Sequence, residues 1–307
     1  MIVSRLTRLT LRTIALVYLF VLLVVPVALI FWRSFEHGLG QFWEWITTPA
    51  AISALQLTLL IVAIVVPLNV IFGVLTALAL ARGRFRGKGV LQAVVDLPFA
   101  VSPVVVGVAL IALWGVDGWF GGIESLGFRI IFGIPGMVLA TIFVTLPFVV
   151  REVEPVLREI GTEQEEAAAT LGATGWQTFS RVTLPAVRWG LTYGIVLTIA
   201  RALGEFGAVT MVSSNFPGVS QTLTLLVNSR YTDDYNEYGA YAAATLLMMV
   251  AILVLVVMTL IERRAKGKLA DASAETMKAV SAERAATEDE YEPVDVPTAV
   301  GAGKETN

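Results

Sequence analysis

Six stretches of this chain, near residues 13–31, 53–81, 91–113, 132–150, 187–212 and 239–261, are each apolar for about 20 residues or more. That is the length a helix needs to cross roughly 30 Å of hydrocarbon at about 1.5 Å per residue. Residues 57–66 and 246–258 are apolar without alternation, whereas the strands of a membrane β-barrel would alternate. Little in the rest of the chain offsets these runs: 56% of the residues are hydrophobic, 15% are charged, and the mean hydropathy is +0.75. A water-soluble fold is excluded on that balance. The expectation is an all-α integral membrane protein with six transmembrane helices.

Orientation is read from the basic residues, which gather on the cytoplasmic side of membrane proteins. Arg5, Arg8 and Arg12 precede the first span; Arg82, Arg84, Arg86 and Lys88 follow the second; Arg151, Arg158, Arg181 and Arg188 lie between the fourth and fifth; seven more lie beyond the sixth. The alternate loops hold one each, Arg33, Arg129 and Arg230. Both termini are therefore expected in the cytoplasm, with Trp32, Trp43 and Trp45 as anchors near the outer interface. The first apolar run is too long for a secretory signal and lacks an A-x-A-like cleavage site before Trp32, so it reads as an anchor. The chain has no cysteine, which removes disulfides, thiol catalysis and thiolate metal sites.

Three regions follow: a cytoplasmic N-terminus (1–12), a six-helix transmembrane unit (13–264) and an acidic tail (265–307). The tail carries nine acids against five bases and few large apolar residues, the composition of a disordered segment. Between the fourth and fifth spans, Thr162-Glu163-Gln164-Glu165 fits a capping box, followed by helix-forming alanines and a stop at Gly172. Thr174-Gly175-Trp176-Gln177 offers a second box, opening a short helix with Trp176, Phe179 and Val182 on one face and an end before Pro185. Such an element must bury its face. Lipid-surface helices prefer a basic polar face, while Glu163, Glu165 and Glu166 make this one acidic, so a protein partner fits better.

The residues of this loop resemble a known pattern. Glu166-Ala167-Ala168, Gly172, Val182, Leu184 and Pro185 match, at every spacing, the EAA loop of ABC importer permeases, with Val182 where the family pattern has isoleucine. The resemblance implies a type I ABC importer permease fold in which residues 162–185 couple to an ATPase subunit, Glu166 and Gly172 being central. Leu97 to Gly107, Pro135 to Val138, Pro147 to Glu152, Ala200 to Val209 and Asp234-Tyr235-Asn236 are similar to sulfate and thiosulfate permeases of the CysW type. That likeness covers roughly residues 10–264 and implies a bacterial inner-membrane subunit. Its implied partners are a second permease of the CysT type, two copies of a sulfate-transporting ATPase and an external sulfate-binding protein. The Gly-Glu-Phe-Gly element, residues 204–207, is shared with molybdate and tungstate permeases, which keeps a homodimeric molybdate importer as the alternative.

No G-x-x-x-x-G-K-[ST] phosphate cradle occurs in the sequence. ATP and its magnesium are therefore expected on a separate ATPase chain, with no cofactor or metal bound here and no enzymatic activity of this chain itself. Arg201 and Glu205 stand one helical turn apart in the fifth span. An arginine at a helix centre costs about 2.5–3.5 kcal/mol on insertion scales, so such residues pair or face water. Two readings stay open: an ion pair that locks helix packing, or a pair lining the translocation path or its gate. Pro98 and Pro103 interrupt the amide ladder of the third span, and Ser102 between them has a hydroxyl for the substrate or for a freed carbonyl. Gly204 and Gly207 permit close helix approach. Asp233, Asp234 and Glu237 read as a solvated loop rather than a cation site. A stand-alone channel or secondary transporter would not need the EAA loop, and an intramembrane enzyme would need a nucleophile with a base or metal ligands that the spans lack.

Overall fold

The computed structural model describes residues 5–260. The tail expected at 265–307, and the last residues of the 13–264 unit, lie outside the described residues. Chain contacts separate residues 1–256 from a unit comprising 257–307, of which only 257–260 are described. No strand occurs among the described residues.

The helices, in chain order, are α1 (Thr7–Phe35), α2 (Gly38–Ile46), α3 (Pro49–Arg82), α4 (Lys88–Ala100), α5 (Pro103–Trp114), α6 (Ile134–Ile160), α7 (Glu163–Thr170), α8 (Gly175–Leu203), α9 (Gly207–Val212), α10 (Leu223–Thr232) and α11 (Glu237–Leu260). Five of them, α1, α3, α6, α8 and α11, are long and apolar enough to cross a membrane. The pair α4 and α5 passes the same test together but is bent by 117° at residues 101–102. The stretch expected as the third span is thus broken where Pro98 and Pro103 deny the ladder two amides.

Other boundaries differ from the expected ones. The helix expected at 132–150 continues through Arg151, Glu154 and Arg158 to Ile160, because Arg158 pairs with Glu154 at 2.6 Å and donates to the Leu80 carbonyl at 3.1 Å. The span expected at 187–212 is two helices, since α8 stops at Leu203 and α9 begins at Gly207. At its other end, the short helix expected to finish before Pro185 instead runs on into the span. A wider turn at Phe179–Thr183, with the Leu184 amide bonded to the Phe179 carbonyl, absorbs the amide that Pro185 lacks.

The bundle is organised around α6, which packs on α3 along most of its length and on α8. One apolar core joins Ile61 and Val65 of α3, Met137 and Val144 of α6, and Val209 and Val212 of α9. A second joins Val74 and Leu80 of α3, Val95 of α4, Val150 and Leu157 of α6, and Val187 of α8. Helix α1 is different. None of its most apolar window is buried, and near its C-terminal end it is tied by a 2.6 Å hydrogen bond between the Ser34 and Thr245 hydroxyls and a Phe35–Phe42 ring contact.

Candidate functional site

Two sites contain the residues singled out from the sequence, one in the connection between α6 and α8 and one where α8 breaks. The connection is anchored by its turns. Gly172 has φ +83° and ends α7. The Gly172 amide bonds the Ala169 carbonyl and the Ala173 amide the Ala168 carbonyl, both at 3.0 Å, which is the Schellman stop. The Thr174 capping box is complete: Thr174 Oγ1 accepts from the Gln177 amide at 3.4 Å, and Gln177 Oε1 accepts from the Thr174 amide at 2.8 Å.

The first expected box does not form. Thr162 Oγ1 donates instead to Glu166 Oε1 at 2.7 Å, and Glu165 is engaged by the spans. Its Oε2 accepts from Arg82 Nε at 3.1 Å and its Oε1 from Thr183 Oγ1 at 2.8 Å. Those charge-assisted bonds outcompete a local reach back to one backbone amide.

Helix α7 has no buried residue. Glu166, Ala167 and Gly172 are exposed, as is Pro185, while Ala168, Val182 and Leu184 are half-buried. Ala168, Gly172 and Val182 line one cleft of about 440 Å³ with Leu171, Gln177 and Arg181. Beside it stand two large apolar side chains at high exposure, Leu171 at 89% and Trp176 at 74%. The helical spacing put Trp176 on the face of Phe179 and Val182, and the rings of Trp176 and Phe179 do meet at 5.6 Å. Phe179 turns into the second core while Trp176 does not.

The second site is the interruption of α8. Arg201 and Glu205 are brought together, Arg201 Nη1 lying 2.8 Å from Glu205 Oε2. They are not on one helix, because Glu205 falls in the Gly204–Phe206 break. Its side chain is almost wholly buried and that of Arg201 is one third exposed. No donor is aligned for a hydrogen bond to Oε2, so the contact with Arg201 is one of charge. Glu205 Oε1 accepts from the Ala208 amide at 2.8 Å, tying down the start of α9. The Glu205 carbonyl accepts from Thr224 Oγ1, also at 2.8 Å, in the first turn of α10. A void of about 10 Å³ beside Glu205, lined by Thr58, Thr141, Thr222 and Thr224, has room for about one water molecule.

Two helix breaks meet here. A Cβ on Gly207 would lie 3.1 Å from Pro103 Cβ, so the 101–102 break between α4 and α5 lies against the 204–206 break between α8 and α9. Gly204 differs from Gly207, a Cβ there finding nothing nearer than the Ala200 carbonyl at 3.8 Å. Its part is to end the helix. Ser102 is exposed and its hydroxyl does not cap α5. An open groove of about 620 Å³ runs from Gly204 and Phe206 between α8, α10 and α11.

Several positioning residues escaped the sequence reading. Arg230, by sequence the lone base of an outer loop, is buried, and its guanidinium donates to the Trp45 carbonyl at 3.1 Å, Thr48 Oγ1 at 2.8 Å and the Gly239 carbonyl at 2.9 Å. Burial pulls its pKa down, opposed by Asp234. Thr58 Oγ1 accepts from the Leu223 amide at 2.9 Å, fixing the other end of α10. The signal was present in the run 223–227, apolar apart from Thr224, which reads as helix rather than loop. Asp233 is held by Ser229 and Thr232 hydroxyls at 3.0 and 3.1 Å.

Comparison with known proteins agrees with this architecture. Residues 69–267 match the profile of a family described as "binding-protein-dependent transport system inner membrane component". The chain is 48% identical over 252 residues to the sulfate transport system permease protein CysW of Synechocystis sp., covering 82% of this chain and 91% of that one. Identity to the CysT permease of the same organism is 37% over 251 residues, with 81% and 87% covered. Among solved structures, a bacterial alginate ABC transporter in complex with a periplasmic protein superposes with a TM-score of 0.70 at 19% identity, covering 84% of this chain and 94% of the matched one. By the extent of the profile match and the identity to curated permeases, the chain belongs to the family of binding-protein-dependent transport system inner membrane components.

Proposed function

We propose that this chain is one of two different permease subunits of an ATP-driven importer of sulfate, thiosulfate being a further substrate of the same path. It sits in the bacterial inner membrane with six spans, the bent α4–α5 pair counting as one, and with both termini in the cytoplasm. Its companions are a CysT-type permease, two copies of a separate ATPase subunit that binds ATP and magnesium, and an external sulfate-binding protein. What carries the reading is an exposed, unburied α7 beside a ready-made cleft, on a chain 48% identical to a sulfate permease over most of its length.

In this reading Glu166, Ala167, Ala168, Gly172, Val182, Leu184 and Pro185 form the surface that docks on the ATPase. Closure of the ATPase around nucleotide pushes that surface and, through the bundle, switches the permease between outward-open and inward-open states. Ser102, Arg201 and Glu205, beside the two helix breaks, serve as path or gate, where irregular backbone is tolerated because it lines a cavity. Glu205 offsets the charge of Arg201, so a divalent oxyanion is drawn in without being trapped.

The test is radiolabelled sulfate uptake in cells deleted for the gene, with and without its restoration, in the presence of excess molybdate. Loss on deletion, return on restoration and resistance to molybdate are expected. Sulfate uptake that survives deletion overturns the substrate, and uptake abolished by molybdate moves the reading to a molybdate or tungstate importer.

A further inference from the structure

Glu165 ties α7 to the bundle. Its carboxylate meets Arg82, the last residue of α3, through Nε at 3.1 Å and Nη2 at 3.4 Å, and Thr183 of α8 through its hydroxyl at 2.8 Å. The same guanidinium donates through Nη1 to the Leu157 carbonyl at 2.7 Å and through Nη2 to the Gly161 carbonyl at 2.5 Å, in the last turn and the stop of α6. A helix leaves its final carbonyls without partners and carries negative partial charge at that end. A planar, forked cation is the side chain suited to satisfy two carbonyls and a carboxylate together. Arg82 and Glu165 are each about one fifth exposed, shielded enough to hold their geometry. Four elements, α3, α6, α7 and α8, thus converge on one ion pair.

We infer that Arg82 and Glu165 are positioning residues of the importer, transmitting displacement of α7 to the ends of the three spans beneath it. The inference rests on the coupling role proposed for α7. Without the pair, α7 remains helical and exposed, able to dock, but its movement reaches α3 and the end of α6 less directly. Arg158, bonded to Glu154 and to the Leu80 carbonyl, joins α3 to α6 separately, so the bundle itself does not depend on Arg82 alone.

The experiment uses the complete transporter, this chain with its partner permease, ATPase and binding protein, reconstituted in proteoliposomes. Glu165→Gln and Arg82→Lys are compared with wild type for ATPase co-purification, basal hydrolysis, and sulfate imported per ATP. Both variants are expected to retain the ATPase and basal hydrolysis while import per ATP falls by about tenfold, within the range of site-to-site coupling energies. Unchanged import per ATP overturns the inference. Gly172→Ala in the same preparation separates the two claims: if it uncouples and Glu165→Gln does not, only the linkage is wrong, and if neither uncouples, the coupling role of α7 fails first.

A second measurement avoids weakening the link. The chain has no native cysteine, so spin labels at Arg84→Cys and Ala169→Cys, both exposed positions, report the α3–α7 distance directly. One narrow distribution, unmoved on trapping ATP, is expected of a rigid link; a shift on trapping overturns it.

Discussion

The connection at α7 and the break at Glu205 are opposites in construction. Helix α7 buries nothing and is held by turns and one ion pair, and a Cβ added to Gly172 would meet no atom within 4 Å. Glu205 is 2% exposed, and its neighbours come from α3, α6, α8, α9 and α10. A surface offered to another protein can be written in one contiguous stretch of sequence, because its geometry is local. A buried charge inside a helical bundle draws its surroundings from remote segments, and changing it disturbs packing as well as function. If that contrast is right, substitutions in the break lower stability and uptake together, whereas those in the connection lower uptake alone.

The largest effect is expected for Arg201→Ala, which leaves the Glu205 carboxylate without its cation. Breaking a buried pair from one side costs about 3–5 kcal/mol, and the partial exposure of Arg201 puts this case near the lower end. The midpoint of thermal unfolding of the purified complex should fall, and sulfate uptake with it. Arg201→Met combined with Glu205→Gln removes both charges and should recover most of the midpoint. If uptake returns with it, the pair serves packing only and has no part in the path.

Next in size is Gly107→Ala, where α5 packs against α9. The new Cβ would lie 2.6 Å from Met211 Cβ and 2.8 Å from the Ala208 carbonyl, so α5 and α9 must move apart. Overpacking of this kind costs about 1–3 kcal/mol. A lowered midpoint with reduced uptake is expected, and a wild-type midpoint would break the claim that the two interruptions are tightly apposed.

These two substitutions bear on how much was visible beforehand. The spans were legible because hydrocarbon demands length and continuity, and the α4–α5 break because Pro98 and Pro103 cannot donate. The Gly172 stop and the Thr174 box are local chemistry and were equally readable. Glu205 reads as part of the α8 helix because apolar composition runs on through residues 207–212, hiding the stop at Gly204. Thr162 reads as a cap because the sequence does not reveal that Arg82 claims Glu165, 83 residues away. Arg230 looked like a loop base for the same reason, its acceptors lying on Trp45, Thr48 and Gly239. What was missed is what depends on a long-range partner.

Gly172→Ala addresses the other side of the contrast. Alanine has room at this position, so the penalty is that of the left-handed backbone alone, about 1–2 kcal/mol, and it falls on a helix with no buried residue. The unfolding midpoint should hardly move while sulfate imported per ATP drops. Wild-type uptake would sink the assignment of Gly172 to coupling.

The smallest effect is expected for Thr174→Ala. It removes the hydroxyl that accepts from the Gln177 amide and leaves Gln177 to hold its half of the box. Loss of a threonine cap costs about 1 kcal/mol, and the bond it breaks is long at 3.4 Å and exposed. The first turn of α8 should fray without reaching the second core, where Phe179 and Leu184 hold the helix in place. Amide hydrogen exchange should therefore rise at 175–178 and not beyond 184, with uptake reduced less than in Gly172→Ala. Exchange that spreads along α8 would mean that the connection and the span melt as one unit, and the separation between a locally built docking surface and a globally built path would no longer hold.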